Sequence, residues 1–211
     1  MTAVPVRIKI CGITRAEDAL EAVRLGADAL GFNFWPGSKR FLPPARAREI
    51  IRALPPMVTC YGVFVDPSHE EAASAAALSG IQVIQLHGDE PAALCRSFQL
   101  PVVKGIRVAG PESLAALDAY PGVRGFLLDA ASAGYGGSGK TFDWALARQA
   151  AARATVLLAG GLTPANVAEA VRAVRPFAVD VASGVESSPG VKDHALLARF
   201  IAAARAAAEE P

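Results

Sequence analysis

The amino-acid sequence predicts an α/β protein folded as a single-domain (β/α)8 barrel of the TIM type across residues 1–211. Three observations carry that prediction. Short apolar runs alternate from end to end with Ala/Glu/Arg-rich stretches of helical spacing. The apolar runs are continuous, as expected of parallel strands covered on both faces. Eight such pairs fit within 211 residues, near the lower size limit of a barrel. An open doubly wound sheet competes. It needs fewer strands and a glycine-rich loop after the first, whereas here the glycines gather after the seventh and eighth.

Taken in order, Arg7–Cys11 is the first strand and Arg15–Leu25 its helix, which Thr14 can cap. Ala29–Phe34 and Val58–Val65 are the next strands, with helices over Ala45–Leu54 and His69–Leu78. Val83–His87 and Val102–Val108 follow, with helices over Pro91–Phe98 and Pro111–Ala119. Gly125–Asp129 precedes a helix over Asp143–Ala152. Val156–Gly160, Pro164–Val174, Ala178–Ser183 and His194–Ala207 complete the alternation. Thr163 stands before a proline at a first helical position, and Asp193 stands before the last helix, both helix-start signals. The βα connections 35–44 and 130–142 are long, and in a barrel such loops cover the catalytic mouth.

Composition removes several classes of function. With 52% hydrophobic residues the chain is no disordered segment, and it buries roughly 70% of its unfolded surface. No apolar run approaches the ~18 residues of a membrane helix, and Met1–Lys9 lacks the blocks of a signal peptide. A net charge of +1 leaves no footprint for nucleic acid or an anionic membrane. Cys11, Cys60 and Cys95 are far apart, without zinc spacing, so neither a metal site nor a disulfide framework is expected. The expectation is a soluble, cytoplasmic protein, monomeric or homodimeric, acting on a small molecule.

In a barrel the C-terminal ends of the strands face the active site. Those ends are Cys11, Asn33, Asp66, His87, Arg107, Asp129, Gly160–Gly161 and Ser183–Gly184. The glycines after strands seven and eight allow backbone N–H groups to approach an anion, and a short helix after strand eight would add its positive end. A phosphate is therefore expected at Gly160, Gly161, Ser183 and Gly184. Arg7, Lys9 and Cys11 share one strand face, and an ammonium beside Cys11 favours its thiolate as a base or nucleophile. Cys60, mid-strand, and Cys95, in a helix, read as buried apolar thiols. Asp129 closes an apolar run, where desolvation favours a protonated acid; an Asx turn is the plainer reading. Arg40 suits a carboxylate held bidentately or a solvated loop cation equally. His87 lines the pocket, while His69 and His194 begin helices. Asp180 lies beside strand one in a closed barrel and can pair with Lys9 inside it, a ligand contact being its other reading.

Several blocks together resemble one family. They are Lys9-Ile10-Cys11-Gly12-Ile13-Thr14, Gly31-Phe32-Asn33-Phe34 with Ser38-Lys39-Arg40, Gln85-Leu86-His87-Gly88, Leu127-Leu128-Asp129, the run Gly136–Trp144, Ala159-Gly160-Gly161-Leu162 and Val179–Glu186. In order, and over nearly the whole chain, they look like phosphoribosylanthranilate isomerase of tryptophan biosynthesis. The resemblance implies an Amadori rearrangement without metal or cofactor, the substrate nitrogen acting as electron sink. Asp129 then matches the general acid, Cys11 the general base and Arg40 the residue facing the anthranilate carboxylate. Gly134 with Gly139-Lys140-Thr141 imitates a nucleotide P-loop, but that motif belongs after the first strand of an open sheet, so the segment reads as a lid.

Three other readings stay in view. A dual-substrate sugar-phosphate isomerase serving histidine biosynthesis as well has an aspartate where this chain has Cys11, and a second phosphate loop. A Schiff-base lyase would use Lys9 or Lys104 as its amine, against the plainer expectation that both lysines pair inside the barrel. The third is a non-catalytic phosphate-binding barrel.

Overall fold

The computed structural model describes residues 6–130 and 143–209. Eight parallel strands pair in chain order and close on themselves. They are β1 (Arg7–Cys11), β2 (Ala29–Asn33), β3 (Thr59–Phe64), β4 (Val83–Leu86), β5 (Val102–Val108), β6 (Gly125–Ala130), β7 (Val156–Leu158) and β8 (Ala178–Val181). The helices α1 (Ala16–Arg24), α2 (Pro44–Arg52), α3 (His69–Ser79), α4 (Ala92–Ser97), α5 (Ala116–Ala119), α6 (Trp144–Ala151), α7 (Val167–Val174) and α8 (His194–Glu209) follow the strands in turn. The predicted fold class is the observed one.

Strand parity divides the interior into two cores. Outward residues such as Ile8, Leu30, Leu86 and Leu128 meet helix residues such as Phe200 and Val167 in one large cluster. Inward residues Val83, Val103, Leu127, Leu157, Ala159 and Ala178 fill the barrel's axis as a second, smaller cluster. Each fully buried Leu, Ile or Phe contributes about 1.5–3 kcal/mol over exposure. The axis also encloses Lys9 and Gln85, each 1% exposed, and these polar residues mark where the core becomes the site.

Closure joins distant parts of the chain. Asp28 accepts hydrogen bonds from the Ile8 N–H at 2.8 Å, Arg7 at 3.0 Å and Arg205 of α8 at 2.7 Å. Arg205 also donates to the Val6 carbonyl at 2.6 Å, so the last helix clamps the first strand.

Several boundaries differ from the sequence reading for local reasons. β7 and β8 end at Leu158 and Val181, because Gly160 and Gly161 turn the chain at φ +81° and +64° and Ser183–Val185 forms a 3-10 turn. Thr14 does not cap α1. The N-cap is Arg15, which makes no side-chain bond there, and Thr14 Oγ1 donates instead to the Gly190 carbonyl. α7 starts at Val167 rather than at Pro164, after a turn in which Asn166 Oδ1 accepts the Thr163 N–H at 2.8 Å. Pro111–Ala115 is a 3-10 turn leading into α5. Asp193 caps α8 as expected, accepting from the Ala195 and Leu196 N–H groups at 2.9 Å. The short helix expected after strand eight is the single 3-10 turn Ser183–Val185, and the hairpin β9 (Glu186–Ser188) and β10 (Val191–Lys192) follows it, announced by the Pro189-Gly190 turn signal.

Candidate active site

One cavity at the C-terminal mouth is walled by Cys11, Arg40, His87, Asp129 and Asp180 together. Cys11, His87, Asp129 and Asp180 stand on or directly after β1, β4, β6 and β8, which span the ring, and parity sends these side chains inward, while Arg40 enters from the loop after β2. Cys11 and Asp129 therefore reach the same space from strands separated by β7 and β8.

Cys11 stands on the inward face of β1, above Lys9. The site makes room for its sulfur by omission: a Cβ on Gly31 of β2 would lie 2.8 Å from Cys11 Sγ and 3.2 Å from Lys9 Nζ. Lys9 is sealed in the axis, 2.6 Å from Asp180 and 5.2 Å from the Tyr61 ring centre. The expected Lys9–Asp180 pair is thus present. Burial depresses the Lys9 ammonium, but Asp180, aided by Cys11, overrides it and raises the group above the ordinary lysine value. At Cys11 the balance opposes the expectation of a resting thiolate. Burial pushes the thiol up and outweighs the pull of Lys9 and Lys192, while Asp180 adds to the rise. Cys60 is the buried apolar thiol foreseen, its pKa pushed up to about 12 by burial.

Asp129 ends the inward face of β6. Its Oδ1 accepts the Ala130 N–H at 2.8 Å, a bond to the next residue rather than the i+2 bond of an Asx turn, and leaves Oδ2 turned toward His87 Nε2 at 3.5 Å. Gln85 Nε2 lies 3.2 Å from His87 Nδ1, so Gln85, quoted in a sequence block but given no role there, orients the ring. Alternation along β4 puts Gln85 and His87 on one face, and that signal was available in Gln85-Leu86-His87. Gly160 packs against the acid: a Cβ there would lie 2.6 Å from the Ala130 nitrogen and 3.0 Å from Asp129 Oδ1.

Arg40 comes from the loop after β2. Asn33 Oδ1 accepts the Trp35 N–H at 3.0 Å, and Ser38 Oγ accepts the Arg40 N–H at 3.0 Å, folding that loop over the mouth. Its guanidinium is no solvated cation. Nε donates to Glu186 at 2.8 Å and Nη2 at 2.7 Å. Lys192 holds the other side of Glu186 at 2.8 Å and donates to the Cys11 carbonyl at 2.6 Å. Burial raises the Glu186 carboxyl, yet its bonds to Arg40 and Lys192 prevail and leave it below the usual range. Glu186 and Lys192 are functional neighbours that sequence reasoning missed, since hairpin pairing alone brings them to β1.

Other strand ends serve the scaffold. Asp66, at φ +46°, accepts the Asp89 N–H at 2.7 Å, and Arg107 pairs with Asp89. Lys104 does not pair inside the barrel. It lies on the outward face of β5, 3.0 Å from Glu90 and 2.7 Å from the Gly88 carbonyl. Both lysines proposed as Schiff-base amines are thus buried in ion pairs. His69 stacks on Phe98 with ring centres 4.9 Å apart, and His194 meets Asp18 at 2.8 Å, both structural as read. Gly160, Gly161, Ser183 and Gly184 stand beside the cavity wall rather than in it; at Gly184 a Cβ would lie 1.9 Å from the Leu162 carbonyl, so the two glycine loops touch. The P-loop imitation and most of the segment read as a lid, 131–142, lie outside the described residues.

A closed parallel barrel whose mouth gathers a thiol, a carboxyl and an anchored guanidinium defines a (β/α)8-barrel enzyme of acid–base chemistry. The family model described as N-(5'phosphoribosyl)anthranilate (PRA) isomerase matches residues 8–203. This chain belongs to that family. The N-(5'-phosphoribosyl)anthranilate isomerase of Pseudomonas fluorescens Pf0-1 is 51% identical, over 95% of this chain and 98% of its own. The crystal structure of the Thermotoga maritima isomerase superposes with a TM-score of 0.91 at 46% identity, covering 95% of this chain and 99% of the other; a further structure calls that enzyme dimeric. Another isomerase structure, in complex with reduced 1-(o-carboxyphenylamino)-1-deoxyribulose 5-phosphate, has a TM-score of 0.87 at 43% identity, with coverage of 95% and 99%.

Proposed function

We propose that this chain catalyses the Amadori rearrangement of N-(5'-phosphoribosyl)anthranilate to 1-(2-carboxyphenylamino)-1-deoxyribulose 5-phosphate, a step of tryptophan biosynthesis in the cytoplasm. The observation that carries the reading is a single cavity lined by Cys11, Asp129 and Arg40 in a chain of this family. Asp129 gives its proton to the furanose ring oxygen. The C1'–O bond breaks, and the nitrogen lone pair forms the Schiff base. Cys11, as thiolate, takes the C2' proton; the electron pair left behind makes the C1'–C2' double bond and returns the nitrogen its own pair. The resulting enolamine tautomerises to the ketone, with no net oxidation. Because the thiol is raised at rest, the ammonium groups of Lys9 and Lys192 have the task of favouring its ionised form as substrate closes the site. Arg40 faces the anthranilate carboxylate, His87 and Asp180 contact the ribose chain, and the loops at Gly160–Gly161 and Ser183–Gly184 hold the phosphate.

The test is a fluorescence assay of phosphoribosylanthranilate consumption by wild type, Cys11→Ser and Asp129→Asn. Rapid turnover by wild type and losses of about 100-fold or more in both variants are expected. An inert wild type overturns the assignment, and a fully active Cys11→Ser reassigns the base. Of the two assemblies, a homodimer is favoured by Met57, 96% exposed at φ +77°, near the half-exposed Phe177 on the rim of a cavity at the opposite end of the barrel. Sedimentation of Met57→Ser is expected to shift the protein toward monomer.

A further inference from the structure

The guanidinium of Arg40 has five N–H groups, and among the described residues Glu186 is its only hydrogen-bond partner. Glu186 takes the edge made by Nε and Nη2. Nη1 and the outer N–H of Nη2 are left as a second edge whose two N–H groups run parallel to each other. Three features keep the guanidinium in that pose. Glu186 is itself locked, with its side chain 4% exposed and gripped by the fully buried ammonium of Lys192. Lys192 is fixed in turn by the Cys11 carbonyl at 2.6 Å and the Ala182 carbonyl at 3.2 Å, the ends of β1 and β8. The Arg40 stem lies across Gly12, at φ +75°, where a Cβ would come within 2.4 Å of Arg40 Cδ. Two cations against one carboxylate leave one positive charge at the cavity wall, which an anion would balance.

We infer that Glu186 is the positioning residue for carboxylate recognition: by occupying the inner edge of Arg40, it presents the outer edge to the ortho-carboxylate of the aryl amine. This rests on the functional reading above and deepens it, assigning the preference for a carboxylated aryl group to Glu186 acting through Arg40. A planar carboxylate fits two parallel N–H groups, whereas an unsubstituted ring leaves them unpaired in a partly buried wall. Lys192 anchors the device and touches no substrate.

The experiment compares wild type, Glu186→Gln, Arg40→Met and the double variant on phosphoribosylanthranilate and on N-phosphoribosylaniline, which lacks the carboxylate. Calorimetric titration with the reduced carboxyphenylamino-deoxyribulose phosphate, and with its phenylamino counterpart, supplies a readout independent of turnover. Glu186→Gln is expected to raise KM for the carboxylated substrate about tenfold or more, a larger change than in kcat. Its preference over the carboxylate-free compound falls by the same factor. In the Arg40→Met background the second change adds nothing, because the group it positions is gone. Should Glu186→Gln fail to fold around the unpaired Lys192, the neutral combination Glu186→Gln with Lys192→Met is measured, and the same loss of preference is expected. Equal binding of both analogues by wild type, or losses that add in the double variant, overturn the inference. An inert wild type that still prefers the carboxylated analogue, and loses that preference in Glu186→Gln, overturns the assigned reaction while this inference stands.

Discussion

Lys9 and Lys104 are the same residue type under the same burial, 1% and 2% exposed, each beside a buried carboxylate. They sit on opposite faces of the barrel sheet, on β1 and β5, and do different work. Lys9 faces the axis, where its ammonium lies against Asp180 below Cys11 and pulls that thiol down against the rise that burial imposes. Lys104 faces the helices, where it ties Glu90, the Gly88 carbonyl and the Gly105 carbonyl under the loop after β4. A shift of one residue along a strand turns an ion pair from chemistry to architecture, since strand side chains alternate between faces.

The largest effect that would sharpen this contrast is on stability. Lys104→Met leaves Glu90 buried and unpaired and is expected to cost about 3–5 kcal/mol in denaturant unfolding, while kcat of the folded protein stays within about twofold. Adding Glu90→Leu should recover only part of that loss, because the apolar pair avoids an unpaired charge but strips the Asp66 and Gly88 N–H groups of the carboxylate that accepts them at 3.0 and 2.9 Å. If kcat collapses with Lys104 instead, the division between the two lysines breaks.

Lys9→Met is expected to destabilise by a comparable amount and also to change the pH profile. Without the ammonium the Cys11 thiol rises further, so the limb of kcat/KM that reports the base moves to higher pH. The sign for stability follows from the raised Lys9: its contribution is complete below the ordinary lysine value of ~10.4 and disappears as pH climbs through the folded value. An unmoved limb in a folded Lys9→Met protein would detach Lys9 from the base.

A smaller effect concerns Gly160. Gly160→Ala places a methyl group against Ala130 and Asp129 at φ +81° and should cost about 1–3 kcal/mol, with a lower kcat because Asp129 is displaced. Thermal unfolding and turnover measured together check it. The smallest lies at the acid end: Glu186, lowered in the folded state, stabilises above the ordinary carboxylate value of ~4.3 and loses that contribution as pH falls through its folded value. Acid titration of Glu186→Gln should lack that component.

Most of the barrel was legible because its signals are local. Continuous apolar runs, helical spacing and caps such as Asp193 act within a few residues, so strand and helix order follow from the chain alone. The strand-end rule likewise brought Cys11, His87 and Asp129 to one mouth, and parity already put Lys9 on the face of Cys11. What only the tertiary structure decided are the pairings between residues far apart in sequence. Arg40 meets Glu186 across 146 positions, and Lys192 reaches the Cys11 carbonyl across 181. No local propensity encodes such contacts. They arise when ring closure brings β8 beside β1, and they decide which edge of Arg40 is occupied by Glu186 and which is left open. The state of Cys11 is of the same kind: the sequence shows an ammonium nearby, but only the packed interior sets burial against charge and lets burial prevail.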